Sequence, residues 1–493
     1  MNESRRTRPT VVRPTFVRLV AVAAIATLVV GVAATSNADD PVSNAAVPRA
    51  DCGPGSRPET SIQGRVPAAD YESGRAQKGY SCNTRRIGHY GSSGGFKAFR
   101  YVDTAGHACA YYDSTLLFPN DVPFNVGSEG LGVIALDMSD PRKPVKTTEL
   151  TTPAMLSPHE TVLLNQKRGL LVAIASTVGT HAGIVEVYDV RSDCRHPKLL
   201  SSTPTGLLGH ESGMAPDGRT LYVSSTFGGT LTAVDLSDPK LPRTLFTTFG
   251  VNYHGMRVSQ NGNRLYVAEI GYSQDGAFSN GGLTILDVSE IQKRVPIPKA
   301  PVVSKLAWRG GSIPQVPIPM RINGHEYLLE IDEFANFDFS NPSGPYQADA
   351  PVGAARIIKI DDDKHPRVVS NIRLAVNQPK SRKGPAQNDP GAQSQLQGYT
   401  GHYCSVPRRV NPKIVACSFI ASGVRLFDVR NPREPKEVGY YNKPLAPDVR
   451  PGKSGAYAMS APAWDLGGKQ LWYTDGNTGF HVLRLTNGIA SRW

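Results

Sequence analysis

Residues 229–275 read GTLTAVDLSDPKLPRTLFTTFGVNYHGMRVSQNGNRLYVAEIGYSQD, and this stretch decides the fold. An apolar run from Leu231 ends in Asp235 and a Ser-Asp-Pro turn. A Pro-flanked second strand follows, then a loop carrying His254, a strand from Met256, a Gln-Asn-Gly turn and a strand from Arg264 to Glu269. Each segment has strand length, is rich in β-branched and aromatic residues or alternates, and is bounded by turn formers. Four short antiparallel strands in about forty to fifty residues is the period of a propeller blade.

The unit recurs. Its Asp-terminated strand appears as GVIALDMSDPRKP from Gly132, GIVEVYDVRSDCRHP from Gly183, GTLTAVDLSDPKLP from Gly229 and GLTILDVSEIQKRVP from Gly282. It returns as ARIIKIDDDKHP from Ala355 and GVRLFDVRNPREP from Gly423, and last as GFHVLRL from Gly479, without the turn. Seven such strands predict an all-β, seven-bladed β-propeller over 81–493, with six or eight blades as alternatives. The last blade has three strands from about residue 460 and needs a fourth. Arg85-Arg86-Ile87-Gly88-His89-Tyr90 looks like the outer strand Lys436-Glu437-Val438-Gly439-Tyr440-Tyr441. It is expected to pair with the C-terminal strands and close the ring, which removes two sheet edges.

The strands LTILDVS and LTAVDLS resemble those that name the LVIVD-repeat family of bacterial cell-surface β-propellers, over roughly residues 85–485. The resemblance implies a propeller and an envelope location, and no settled chemistry.

A chain of 493 residues with 40% hydrophobic content, 48 Gly and 39 Pro fits a turn-rich β protein rather than a disordered one. The formal charge is +12. Arg5, Arg6, Arg8, Arg13 and Arg18 supply much of it, and without the first 38 residues about +8 is left. No basic block is interleaved with aromatics, which argues against nucleic acid as a partner. Those arginines precede an apolar run from Leu19 to Ala34, and Ser36-Asn37-Ala38 offers small residues for cleavage. Residues 1–38 therefore read as an export signal peptide, with an uncleaved membrane anchor as the alternative. Residues 39–80, rich in Pro, Gly, Ala and Ser, read as a flexible stalk.

Six cysteines, an even number in an exported chain, favour disulfides. Fifteen pairings are open. Cys404 and Cys417 fall on neighbouring strands of one blade and are the first candidate pair.

Four histidines share a register. His159, His210 and His254 each stand eleven residues before a leucine of the second strand (Leu170, Leu221, Leu265), and His402 stands twelve before Ile414. All four are expected at the start of an innermost strand, near the axis, on the face that carries the long connections. The equivalent places in the other blades fall near Ala98, Gln315 to Val316 and Ser460. Several neutral imidazoles converging on an axis can hold copper, iron or zinc and leave a position open. The arrangement is similar to that of propeller oxygenases and selenium-binding-type propellers, without their sequence motifs. The same histidines can equally cap loops by hydrogen bonds. Glu160 and Glu211 follow two of them directly. Adjacent strand residues point to opposite faces, so each is expected to support its neighbour rather than join it.

Asp113, Glu269, Asp332, Glu333 and Asp475 close the second strands on the same face, as candidate acid–base groups or, in the plainer reading, loop caps. No nucleophile elbow, phosphate loop, dinucleotide fingerprint or HExxH helix appears. Two functions remain open: a module that binds an envelope protein, glycan or small ligand through the long-loop face, or a metal-dependent oxidoreductase or hydrolase.

Overall fold

In the computed structural model, residues 42–114, 125–176, 181–226, 228–271, 281–308, 313–334, 352–392 and 398–492 are described. The proposed export signal lies outside them. Among the described residues no helix is long and apolar enough to cross a membrane.

Seven four-stranded antiparallel sheets are arranged as the blades of a propeller. Blade 1 runs Ala98–Val102, Ala108–Asp113, Val133–Asp137 and Val145–Leu150, from inner strand to outer. Blades 2, 3 and 4 begin at Leu163–Asn165, Glu211–Met214 and Tyr253–Val258. Blades 5, 6 and 7 begin at Ile313–Ile322, Cys404–Ser405 and Ala463–Asp465. Thr84–Tyr90 pairs with Gly479–Leu485, with His89 opposite His481, and supplies the missing outer strand of blade 7. The ring closes as the sequence predicts.

The recurring Asp has a local cause. Asp137, Asp189, Asp235, Asp287 and Asp428 each turn Oδ1 back to accept the backbone N–H two residues on, at 2.8 to 3.1 Å. This Asx turn ends the third strand and starts the return. The apolar run before it is buried between blades: Ile134, Ala135, Val234, Ile285, Ile357 and Leu426 are all inaccessible or nearly so. Between the third and fourth strands the register slips in blades 1, 3, 4, 5 and 6 at corresponding places. Such a bulge adds twist where the blade must fan outward.

Residues 42–80 are not a loose stalk. Tyr80–Cys82 adds a fifth strand outside Lys436–Asn442 of blade 6. Cys52 is bonded to Cys82. Val66, Tyr71 and Ala76 pack with Tyr440 in one apolar cluster. The Arg425 guanidinium, fully buried, bridges Glu59 of this segment and Glu437 of blade 6. Composition reported the absence of a period; it could not report a disulfide, an added strand and a buried ion triad. Cys404–Cys417 forms as expected, between residues paired directly in blade 6. Cys109–Cys194 ties blade 1 to the turn of blade 2. Three disulfides among the described residues mark an oxidising, exported environment.

Candidate metal centre

The entries to the innermost strands converge on the axis. His210 and His254, from blades 3 and 4, bring their Nε2 atoms to 2.9 Å. The His159 ring lies 4.7 Å from that of His210, centre to centre, and Phe96 of blade 1 flanks it at 4.5 Å. His402 enters from blade 6, against Phe96 and Tyr403. The register read from the sequence therefore does bring four imidazoles to one region.

Two carboxylates stand among them. Glu160 Oε2 is 3.6 Å from His210 Nε2 and 3.4 Å from His254 Nε2, and its Oε1 is 3.4 Å from His402 Nε2. Glu333 Oε1 is 3.6 Å from His254 Nε2, and Oε2 is 3.1 Å from His402 Nε2. The expectation that Glu160 stays outside the ring fails for a backbone reason. His159 has φ +45°, so the extended alternation on which that expectation rests does not hold across the dipeptide. Glu211, next in the register, turns away from the imidazoles. Its carboxylate accepts from Lys97 Nζ and from Tyr403 Oη, both at 2.8 Å.

The imidazole tautomers follow from their outer partners. His402 Nδ1 lies 2.9 Å from the Met459 carbonyl and His254 Nδ1 lies 3.3 Å from the Gln315 carbonyl. A carbonyl oxygen only accepts, so each Nδ1 carries a proton, and in the neutral ring the Nε2 lone pair then faces inward. The inward neighbours are carboxyl oxygens of Glu160 and Glu333 and the Nε2 of His210, whose own Nδ1 is buried without a hydrogen-bond partner. Glu160 Oε2 is buried and has no hydrogen-bond partner, while the Gln315 amide donates to Glu160 Oε1. Lone pairs facing one another at about 3 Å repel unless a proton or a metal ion sits between them; a proton on His210 Nε2 serves the His254 contact, and a metal ion serves the whole set.

Burial, reinforced by the neighbouring imidazoles, pushes His159 down to about 3 and His210 well below the usual histidine range; burial also lowers His254. Neutral imidazole is the ligating form. Burial, with Glu333 and Glu211 nearby, pushes Glu160 far above the usual carboxylate range. Lys97, whose ammonium also donates to the Glu160 carbonyl, is pushed down by burial.

The other sequence candidates do not reach the cluster. Asp113 caps the entry to blade 1 by accepting the Phe96 N–H at 3.0 Å, and burial pushes its carboxyl up to about 7. Asp475 accepts the Tyr457, Asn477 and Thr478 N–H groups and is pushed up to about 6 by burial. Arg356 clasps Asp332, and Lys305 pairs with Glu269 at 2.7 Å. These four are loop caps and strand ion pairs. His481, outside the register, is buried in blade 7 and stacked on Tyr473. Lys97, Gln315 and Tyr403 went unnoticed as site residues, although each lies at or beside a register position.

No family model and no curated protein matches the chain. Among solved structures it is similar to a candidate 6-phosphogluconolactonase from Bacteroides uniformis, at 14% identity and TM-score 0.46 over 71% of this chain and 86% of that one. It is similar also to the periplasmic gluconolactonase PpgL of Pseudomonas aeruginosa, at 11% and 0.43 over 69% and 83%. Likeness at this level says nothing about chemistry.

Proposed function

We propose that this is an exported metalloenzyme whose axial cluster binds a transition metal through His159, His210, His254 and His402 with Glu160 and Glu333. One observation carries the reading: buried imidazole nitrogens and carboxyl oxygens from five blades face one another at 2.9 to 3.6 Å, with the protons of His254 and His402 committed outward to carbonyls. About 2.9 to 3.3 Å is the separation of neighbouring ligands at the usual 2.0 to 2.1 Å from one ion. A backbone carbonyl holding the far nitrogen of His254 and of His402 is the outer support that such sites use. The donor set of nitrogen and oxygen without thiolate suits zinc, copper or iron.

The ion retained separates the two reaction classes. Zinc has no redox chemistry and supports hydrolysis by a bound water, whereas copper or iron supports oxidation. The resemblance to LVIVD repeats and the three disulfides support work in the cell envelope. The alternative, a binding module for an envelope protein, glycan or small ligand, rests on the long connections alone. Of these, residues 443–454 form a hairpin, Leu445–Arg450 with Lys453–Gly455, and most of the others fall partly outside the described residues.

The test is elemental analysis of the purified protein, stripped with chelator and reloaded with zinc, copper or ferrous iron, beside His210→Ala and His254→Ala. Tight uptake that both variants lose supports the enzyme. No uptake by the parent, with all three proteins folded, leaves the cluster to be held by protons and ends the metal reading.

A further inference from the structure

The two carboxylates do not merely approach the imidazoles; they divide them. His254 Nε2 faces one oxygen of each, Glu160 Oε2 at 3.4 Å and Glu333 Oε1 at 3.6 Å. His402 Nε2 faces the other oxygen of each, Glu160 Oε1 at 3.4 Å and Glu333 Oε2 at 3.1 Å. His210 joins the first side, 3.6 Å from Glu160 Oε2 and 2.9 Å from His254. A single ion cannot make good use of both oxygens of two carboxylates along with three or four imidazoles: that count exceeds what a first-row ion with nitrogen donors takes.

From this pattern we infer a dinuclear centre, with Glu160 and Glu333 each bridging two divalent ions through separate oxygens. The first ion takes His210, His254, Glu160 Oε2 and Glu333 Oε1. His159, whose donor nitrogen lies within 4.8 Å of those of Glu160 and His210, stands on the same side. The second ion takes His402, Glu160 Oε1 and Glu333 Oε2, and fewer protein donors leave it open to water or substrate. Carboxylate bridges set ions about 3.5 to 4 Å apart, the spacing at which one ion can hold a nucleophile while the other holds the group attacked.

The burial of Glu160 supports the bridge. Its Oε2 has no hydrogen-bond partner although the residue is almost inaccessible, and Gln315 fixes the rotation of the carboxylate from the other side. An isolated buried carboxylate is costly, and metal coordination is one of the ways it is compensated. Apolar residues from blades 1, 5, 6 and 7 wall the cluster: Phe96, Val316, Tyr403, Ile420 and Met459. A dry wall on one side and ligands on the other favours bridging oxygens over solvation.

This inference rests on the metal reading above, and one experiment tells their failures apart. The chelator-stripped protein is titrated with Mn²⁺, the bound metal is counted per chain, and the electron paramagnetic resonance spectrum is recorded. Two ions per chain with an exchange-coupled spectrum are expected, falling to one ion and an uncoupled six-line spectrum in Glu333→Gln. One uncoupled ion in the parent overturns the dinuclear centre and leaves the metal reading intact; no ion overturns both. A coupled pair that survives Glu333→Gln overturns the bridging role of Glu333. The parent spectrum decides nuclearity by itself should the variant not fold.

Discussion

His159-Glu160 and His210-Glu211 are the same dipeptide in the same register of adjacent blades, yet their carboxylates go to different places. Glu160 stands among the imidazoles with one oxygen unpartnered, whereas Glu211 is held away from them between Lys97 and Tyr403. The backbones even meet, as an isolated parallel bridge between Glu160 and Glu211. What differs is the residue before. His159 is at φ +45°, and His210 is not among the residues with positive φ. A non-glycine residue in that region costs about 1 kcal/mol or more and persists where surrounding structure fixes it. One backbone angle thus separates a proposed ligand from a supporting ion pair.

Several measurements can break or sharpen that contrast. The largest effect is expected from Glu160→Gln, which should weaken metal binding by more than about 100-fold in competition titrations. Glu211→Gln should stay within the roughly 10- to 100-fold typical of an outer partner. Equal losses would erase the distinction. Lys97→Met removes the nearest charge from the buried Glu211 carboxylate and leaves it with Tyr403 and, at 3.8 Å, Arg257. Removing one member of such a pair costs about 3 to 5 kcal/mol, to be read from denaturant unfolding of the metal-free protein.

Asp113 tests a third fate for a buried carboxyl, as a pure loop cap. In the folded protein it keeps its proton up to about pH 7, while the unfolded chain releases it near 3.8. The unfolded state therefore binds fewer protons between these values, and stability falls as pH rises from 4 to 7. Asp113→Asn removes the titration. Relative to the parent it should gain up to about 4 kcal/mol across that range, at about 1.4 kcal/mol per pH unit. Glu269→Gln should do least. Its ion pair with Lys305 is half-exposed, so less than about 1 kcal/mol of stability and no metal affinity should be lost.

Much of this was legible in the chain. The Asx turn is a local event, so the repeated Asp announces the third strand of five of the blades, and the apolar run it ends recurs in the other two. The histidine register is legible because a β-blade gives a fixed number of residues from strand entry to turn. His254 and His402 lie where the count puts them, and the closing strand was visible because 85–90 repeats an outer-strand pattern. The stalk was misread because residues 42–80 are held by partners far away in sequence, among them Arg425, Glu437 and Tyr440.

The sequence by itself determined the period, the seven blades, the ring closure and the height at which the imidazoles enter, all of which depend on short-range spacing and turn chemistry. Only the tertiary structure decided which carboxylates join them. Glu333 arrives from the second strand of blade 5 and Glu160 through a backbone turn at His159, while Gln315 of the first strand of blade 5 and Lys97 of blade 1 fix the surroundings. Side-chain direction at the axis depends on single φ values and on contacts between blades far apart in sequence, such as His402 with Glu160 and with Phe96. No local periodicity carries that information.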